Sequence, residues 1–215
     1  MLNEKGFDLW AGEYDQSVHQ SNEDDTYPFA GYDAVLNRIE QIVLQTEHPQ
    51  VLDIGFGTGT LTARLYERGC QIYGQDFSAQ MIEQAKAKMP DAQLYHGDFS
   101  EGLCDELQSR QYDAIIATYS LHHLRPDEQV RFLSELLRLL KPGGRICIGD
   151  VAFETRAELE TCRRQSGDEW DDEEFYFVYE DLIRAFPGQT SFERMSHCAG
   201  VLVLKNCPPD DAARR

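Results

Sequence analysis

The feature that most narrows what this chain can fold into is the run Val51-Leu52-Asp53-Ile54-Gly55-Phe56-Gly57-Thr58-Gly59, which reads as a buried strand ending in alternating glycines. Glycines at that point let the backbone turn sharply and approach a ligand with no Cβ in the way. Dinucleotide enzymes use G-x-G-x-x-G there to set a pyrophosphate on a helix N-terminus. Here the spacing is G-x-G-x-G and position 60 is Thr, which argues against a nicotinamide dinucleotide.

From residue 50 onward, short apolar runs alternate with amphipathic helical stretches, the pattern of a parallel sheet covered by helices on both faces. Strands are expected over residues 51–55, 71–76, 92–96, 112–118 and 144–150, with helices beginning near Thr60, Ser78 and Pro126. Ser78 is suited to cap its helix, and Pro126 in a first helical turn forfeits no intrahelical hydrogen bond. Lys141-Pro142-Gly143-Gly144 is expected to end a helix and turn the chain into the fifth strand. Beyond it, helical segments over 155–164 and 179–186 precede two runs, 190–195 and 200–204, that read as a hairpin. Ahead of the glycine strand, Val35, Ile39, Ile42 and Val43 line one face of a helix within 29–45.

The expected fold is therefore α/β: a doubly wound, seven-stranded, mostly parallel, Rossmann-like sheet with helices on both faces and a C-terminal antiparallel hairpin. One domain spans 1–206, with a helical N-terminal cap at 1–45, a cofactor-binding core at 50–150 and a C-terminal part at 151–206; residues 207–215 form a frayed tail.

The formal charge of −18 sets the sequence against phosphate backbones, whose binding depends on Lys and Arg, so nucleic acid is not an expected partner. Part of that charge lies in residues 168–174, which reads as a solvated loop or, alternatively, as a lure for a cationic substrate. Six cysteines are scattered without a C-x-x-C pair and read as buried thiols, not as zinc ligands or disulfides. Neither a signal-like N-terminus nor a membrane-length apolar run is present, so a cytoplasmic protein with no membrane partner is expected. Oligomeric state is not legible.

Asp76 ends the second strand, 21 residues after Gly55, where a carboxylate accepts hydrogen bonds from both ribose hydroxyls of an adenosine-containing cofactor. Asp98 follows the third strand and is placed to accept from an adenine amino group while Phe99 covers the ring. Its alternative reading is an Asx-turn. Thr118 to Leu121 close the fourth strand, at the end of the sheet where such folds bind ligands. His122, His123 and Tyr119 are the candidate catalytic residues, with imidazole as a base of ordinary pKa near ~6.5.

Taken together, V-L-D-I-G-F-G-T-G, Y-G-Q-D-F-S, H-G-D-F, Y-D-A-I-I-A-T-Y-S-L-H-H-L and L-K-P-G-G-R occur in the order found in class I S-adenosylmethionine-dependent methyltransferases. The chain resembles the small stand-alone bacterial members with an N-terminal W-A-x-x-Y-D segment, here Trp10 to Asp15. The resemblance covers about Trp10 to Asp150 and implies S-adenosyl-L-methionine as cofactor. It places Asp53, Gly55, Phe56, Gly57, Thr58 and Gly59 around the methionine moiety, Asp76 with Phe77 at the ribose and Asp98-Phe99 at adenine, with Thr118 and Tyr14 completing the cofactor contacts. Phe56 stands where a smaller residue or proline is common. Ala117-Thr118-Tyr119-Ser120 does not match the [DN]-P-P-[YF] signature of nucleic-acid and amide N-methyltransferases, which removes that substrate group; the acceptor stays unidentified, with a small molecule expected.

A sulfonium methyl is already activated, so transfer is an in-line displacement in which the protein aligns the acceptor and excludes water; no metal is expected. A base matters only for a hydroxyl or carbon acid. Two alternatives stand beside this reading: a non-catalytic S-adenosylmethionine-binding regulator, and an NAD(P)-dependent oxidoreductase disfavoured by the glycine spacing. The aromatics Tyr27, Phe29 and Tyr32, with Trp10 to Asp15, are expected to form a lid or, alternatively, to anchor an N-terminal helix to the domain. Arg156, Arg163 and Arg164 are candidates for meeting a carboxylate or are ordinary surface residues.

Overall fold

The computed structural model describes residue 18 and residues 21–206, which takes the Trp10 to Asp15 segment, Tyr14 and the tail outside the described residues. Five parallel strands, β1 (Gln50–Ile54), β2 (Gln71–Asp76), β3 (Gln93–His96), β4 (Tyr112–Thr118) and β5 (Leu140–Phe153), run in the order β3-β2-β1-β4-β5. The antiparallel pair β7 (Thr190–Arg194) and β8 (Ala199–Lys205) continues the sheet, with β8 against β5.

The described strands number eight, one more than the sequence predicts. The addition is β6 (Phe177–Val178), two residues that pair with the last two of β5, Ala152 and Phe153. A strand that short has no alternation to read.

Strand residues alternate between two cores, as a sheet covered on both faces requires. Val51, Ala114, Ile116, Cys147 and Val201 face one layer, which contains Val35 and Ile39 of α1 (Tyr32–Val43), Leu61 and Leu65 of α2 (Thr60–Glu67) and Ile82 of α3 (Ala79–Lys88). Leu52, Ile54, Ile115, Ala117, Ile146 and Ile148 face the other. That layer holds Leu107 of α4 (Asp105–Gln108), Phe132, Leu133 and Leu136 of α5 (Pro126–Arg138) and Leu182 of α7 (Tyr179–Ala185). α6 (Arg156–Ser166) packs Leu159 and Cys162 on the first.

Local cues behave as their chemistry dictates. Ser78 Oγ accepts from the Met81 amide at 3.2 Å, Pro126 opens α5, and Thr155 with Glu158 forms a capping box on α6. The Lys141-Pro142-Gly143-Gly144 turn is a correction: it lies inside β5, not ahead of it. Pairing jumps from Tyr112–Leu140 to Ala114–Arg145, so these four residues bulge out of the ladder. Lys141 Nζ secures the bulge to Asp113 Oδ2 at 2.7 Å.

α1 lies on the sheet at Gly149, where an added Cβ would meet Val35 Cγ1 at 2.3 Å and Ile39 Cδ1 at 2.8 Å. Gly149→Val is expected to push α1 away and cost about 2–3 kcal/mol of stability, a drop of roughly 4–12 °C in Tm that thermal unfolding would register.

Candidate functional site

The C-terminal ends of β1, β2 and β4 open on one side of the sheet, at the point where strand order reverses between β1 and β4. Gly55, immediately after β1, has φ 66°. A Cβ there would sit 2.6 Å from Ser120 Cβ, so only glycine fits between the β1 and β4 exits. Ser120 Oγ closes that contact by donating to the Ile54 carbonyl at 2.8 Å.

Asp76 holds the glycine loop against β2. Its Oδ2 accepts from the Gly57 amide and its Oδ1 from the Ser78 amide, each at 2.8 Å. The Phe77 amide donates to it as well, so of a carboxylate's about four lone-pair positions one or two remain for a ligand's hydroxyls. Burial raises the Asp76 pKa, and these amide donors work against that rise.

The resulting cleft is narrow as it stands, a cavity of ≈ 60 Å³, well below the ~300–1,000 Å³ of small-molecule sites. Of the residues singled out by sequence, Gly55, Phe56, Gly57, Thr58, Asp76, Phe77, Phe99, Thr118, Tyr119 and His123 line it. Phe56 also lies over β2: a Cβ on Gly74 would reach its ring at 2.6 Å.

Four named residues stand outside that lining. Gly59 is the left-handed N-cap of α2. Asp98 is exposed and its Oδ1 accepts from the Ser100 amide at 2.8 Å, the Asx-turn geometry. His122 lies behind His123, their ring centroids 4.3 Å apart. Asp53 is buried and hydrogen-bonded to the hydroxyl of Thr62, a residue that does line the cleft.

The other Asp53 oxygen, Oδ1, is buried without a hydrogen-bond partner. Burial pushes its pKa up to about 7; the Thr62 hydroxyl opposes the rise and the neighbouring Asp76 adds to it. An orphaned carboxyl oxygen beside a glycine cradle fits a ligand that carries positive charge.

On the β4 side, Tyr119 adopts φ 50°, which is strained for a bulky residue and typical of functional turns. Phe29 and Tyr32 pack on its ring at 5.3 and 5.2 Å. Tyr27, grouped with them by sequence, instead stacks on Trp170 at 5.2 Å and hydrogen-bonds Tyr176.

The two histidines are in opposite electrostatic states. Burial works against a charged His122, yet Asp150, 2.7 Å from its Nδ1, and Glu174, 3.4 Å from its Nε2, hold its pKa up to about 9. Burial and the charge on His122 depress His123 to about 3.

Sequence reasoning had Ser120 within the 118–121 exit of β4 but missed Met81 and Thr62 in the cleft and Glu174 behind it. Only Glu174 had left a trace, as one acid among several in 168–174. Arg156 and Arg163 meet carboxylates of this same chain, Asp181 and, at 2.7 Å, Asp172, while Arg164 donates to the Thr161 hydroxyl at 3.0 Å.

Residues 51–144 match the family described as methyltransferase domain. An uncharacterized methyltransferase of Geobacillus kaustophilus (strain HTA426) is 36% identical over 84% of this chain and 79% of its own length. Among solved structures, a complex of DhpI with SAH is similar with a TM-score of 0.69 at 17% identity, covering 95% of both chains. An S-adenosylmethionine-dependent methyltransferase from Clostridium acetobutylicum ATCC 824 is similar with a TM-score of 0.66 at 16% identity, covering 90% of this chain and 99% of that one.

Proposed function

This chain belongs to the methyltransferase family, and on that premise we propose that it transfers the methyl group of S-adenosyl-L-methionine to a small-molecule acceptor from within one domain spanning residues 1–206. The observation that carries the reading is Asp76: buried, fixed by two amides of the cleft wall, and left with lone pairs at the height where ribose hydroxyls lie above a glycine loop.

The cofactor supplies a methyl already activated on a sulfonium. Gly55 and Gly57 let the main chain come close to its methionine portion, Asp76 with Phe77 takes the ribose, and Phe99 covers the base. Asp53 balances the positive charge from behind Thr62. Phe29, Tyr32 and Tyr119 shield the transfer face from water.

His123 borders that face with a pKa of about 3, too low to hold an abstracted proton at neutral pH. An acceptor that is nucleophilic without help, a thiolate or a neutral amine, therefore suits the site better than an alcohol. The charge of −18 favours a free small molecule over a nucleic acid. Among the described residues no helix is long and apolar enough to cross a membrane.

Incubating the full chain with labelled S-adenosylmethionine and matched panels of thiols, amines, alcohols and carboxylates tests this. Methyl transfer to thiols or amines at least tenfold faster than to alcohols is expected. Transfer to tRNA but to none of the panels would overturn the acceptor assignment.

A further inference from the structure

From His123 in the cleft wall to the residues behind it, His122, His123 and Glu174 bring one ligand atom each to within 4.8 Å of one another. They arrive from two distant segments, the 3-10 turn Leu121–His123 after β4 and the loop ahead of β6. The segments are locked together: the Phe175 amide donates to the His122 carbonyl at 2.7 Å, and Gln129 Nε2 of α5 donates to both the Leu121 carbonyl at 3.2 Å and the Phe175 carbonyl at 2.7 Å.

His122 and Glu174 are each held by an orienting partner. His122 Nδ1 is held by the fully buried Asp150 at 2.7 Å, which leaves Nε2 directed to the cluster. Glu174 Oε2 accepts from the Tyr176 hydroxyl at 2.6 Å, and its Oε1 stands 3.4 Å from His122 Nε2. Ligands bonded at about 2.0–2.1 Å in a tetrahedron stand roughly 3.3–3.4 Å apart, so this pair already has the spacing of one tetrahedral edge. A carboxylate on the far nitrogen of a ligating histidine is the usual outer support of such a site.

We propose that His122 Nε2, His123 and Glu174 form a binding site for a divalent transition-metal ion of the zinc class, oriented by Asp150 and Tyr176. Two imidazoles and one carboxylate are a common zinc ligand set, and with three protein ligands a fourth position stays open for water or a ligand atom. The site departs from the expectation that no metal is involved. It stands on these side chains alone, so it holds whether or not the methyl acceptor is correctly assigned.

The test is titration of untagged, chelator-stripped full chain with zinc chloride, monitored by a competing indicator dye. One ion per chain is expected, with affinity reduced at least tenfold in His123→Ala and in Glu174→Gln and roughly 10–100-fold in Asp150→Asn. His48→Ala, on an exposed residue away from the cluster, is expected to bind as the wild type does. Should a variant fail to fold, X-ray absorption of the zinc-loaded wild type decides: a shell of imidazole nitrogens with a carboxylate oxygen near ~2.0 Å supports the site. Substoichiometric binding, binding unchanged in both ligand variants, or an all-oxygen shell would overturn it, leaving the cluster as an ion pair only.

Discussion

Asp76→Ala is expected to remove S-adenosylmethionine binding by about 10²–10⁴-fold in Kd while the protein stays folded. Two hydrogen bonds from ribose hydroxyls to a carboxylate are worth about 1.5–3 kcal/mol each, which sets the direct loss. A second loss comes through the loop, because the Gly57 amide would have no acceptor and the glycine turn no tether to β2. Asp76→Asn separates the two. Its single carbonyl oxygen can serve one of the amides at Gly57 and Ser78, while its NH2 faces the other donor, so an intermediate loss of about 10–100-fold is expected. Calorimetric titration with S-adenosylmethionine, S-adenosylhomocysteine and NADH reads all of this. Binding of the first two within threefold of wild type in Asp76→Ala would remove the assignment of the cleft.

Asp53 is expected to make both stability and cofactor affinity depend on pH. Its pKa is raised from 3.8 to about 7 in the folded chain, so the folded state keeps a proton that the unfolded chain releases. Stability from this group is therefore complete below about pH 4 and is lost as pH rises to about 7. Three pH units correspond to on the order of 4 kcal/mol, read as the difference between wild type and Asp53→Asn in urea unfolding from pH 4 to 8. A positively charged ligand favours the ionised carboxylate, so binding near pH 6 is expected to release about one proton and to tighten as pH rises through 7. Calorimetry in buffers of different ionisation enthalpy measures that proton. Equal pH profiles for wild type and Asp53→Asn would show that Asp53 does not titrate with ligand.

Much of the sheet was legible because its strands obey local rules. The runs ending in Gly55, Asp76 and Thr118 are apolar, punctuated and followed by helices with their own caps, so the residues at those exits could be placed in one cleft in advance. Two things were not legible. β6 is too short to carry a pattern and exists only because β5 extends to Phe153 beside it. The partners of His122 were equally hidden, since Asp150 and Glu174 lie 28 and 52 residues away and meet it only after the sheet has formed. Thr62 escaped notice for a related reason: a hydroxyl that fills one side of a buried carboxylate looks in sequence like any other polar residue.

The way the segment before β6 is fastened bears on how such a protein can diversify. Both the Gln129 amide and the His122 carbonyl grip Phe175 by its main chain, not by its ring. Trp170 adds a stack on Tyr27 and Asp172 an ion pair with Arg163, so these two side chains belong to the fastening as well. Saturating the exposed position 173, with Gln129, Trp170 and Asp172 kept, would vary the surface of this loop on an unmoved backbone.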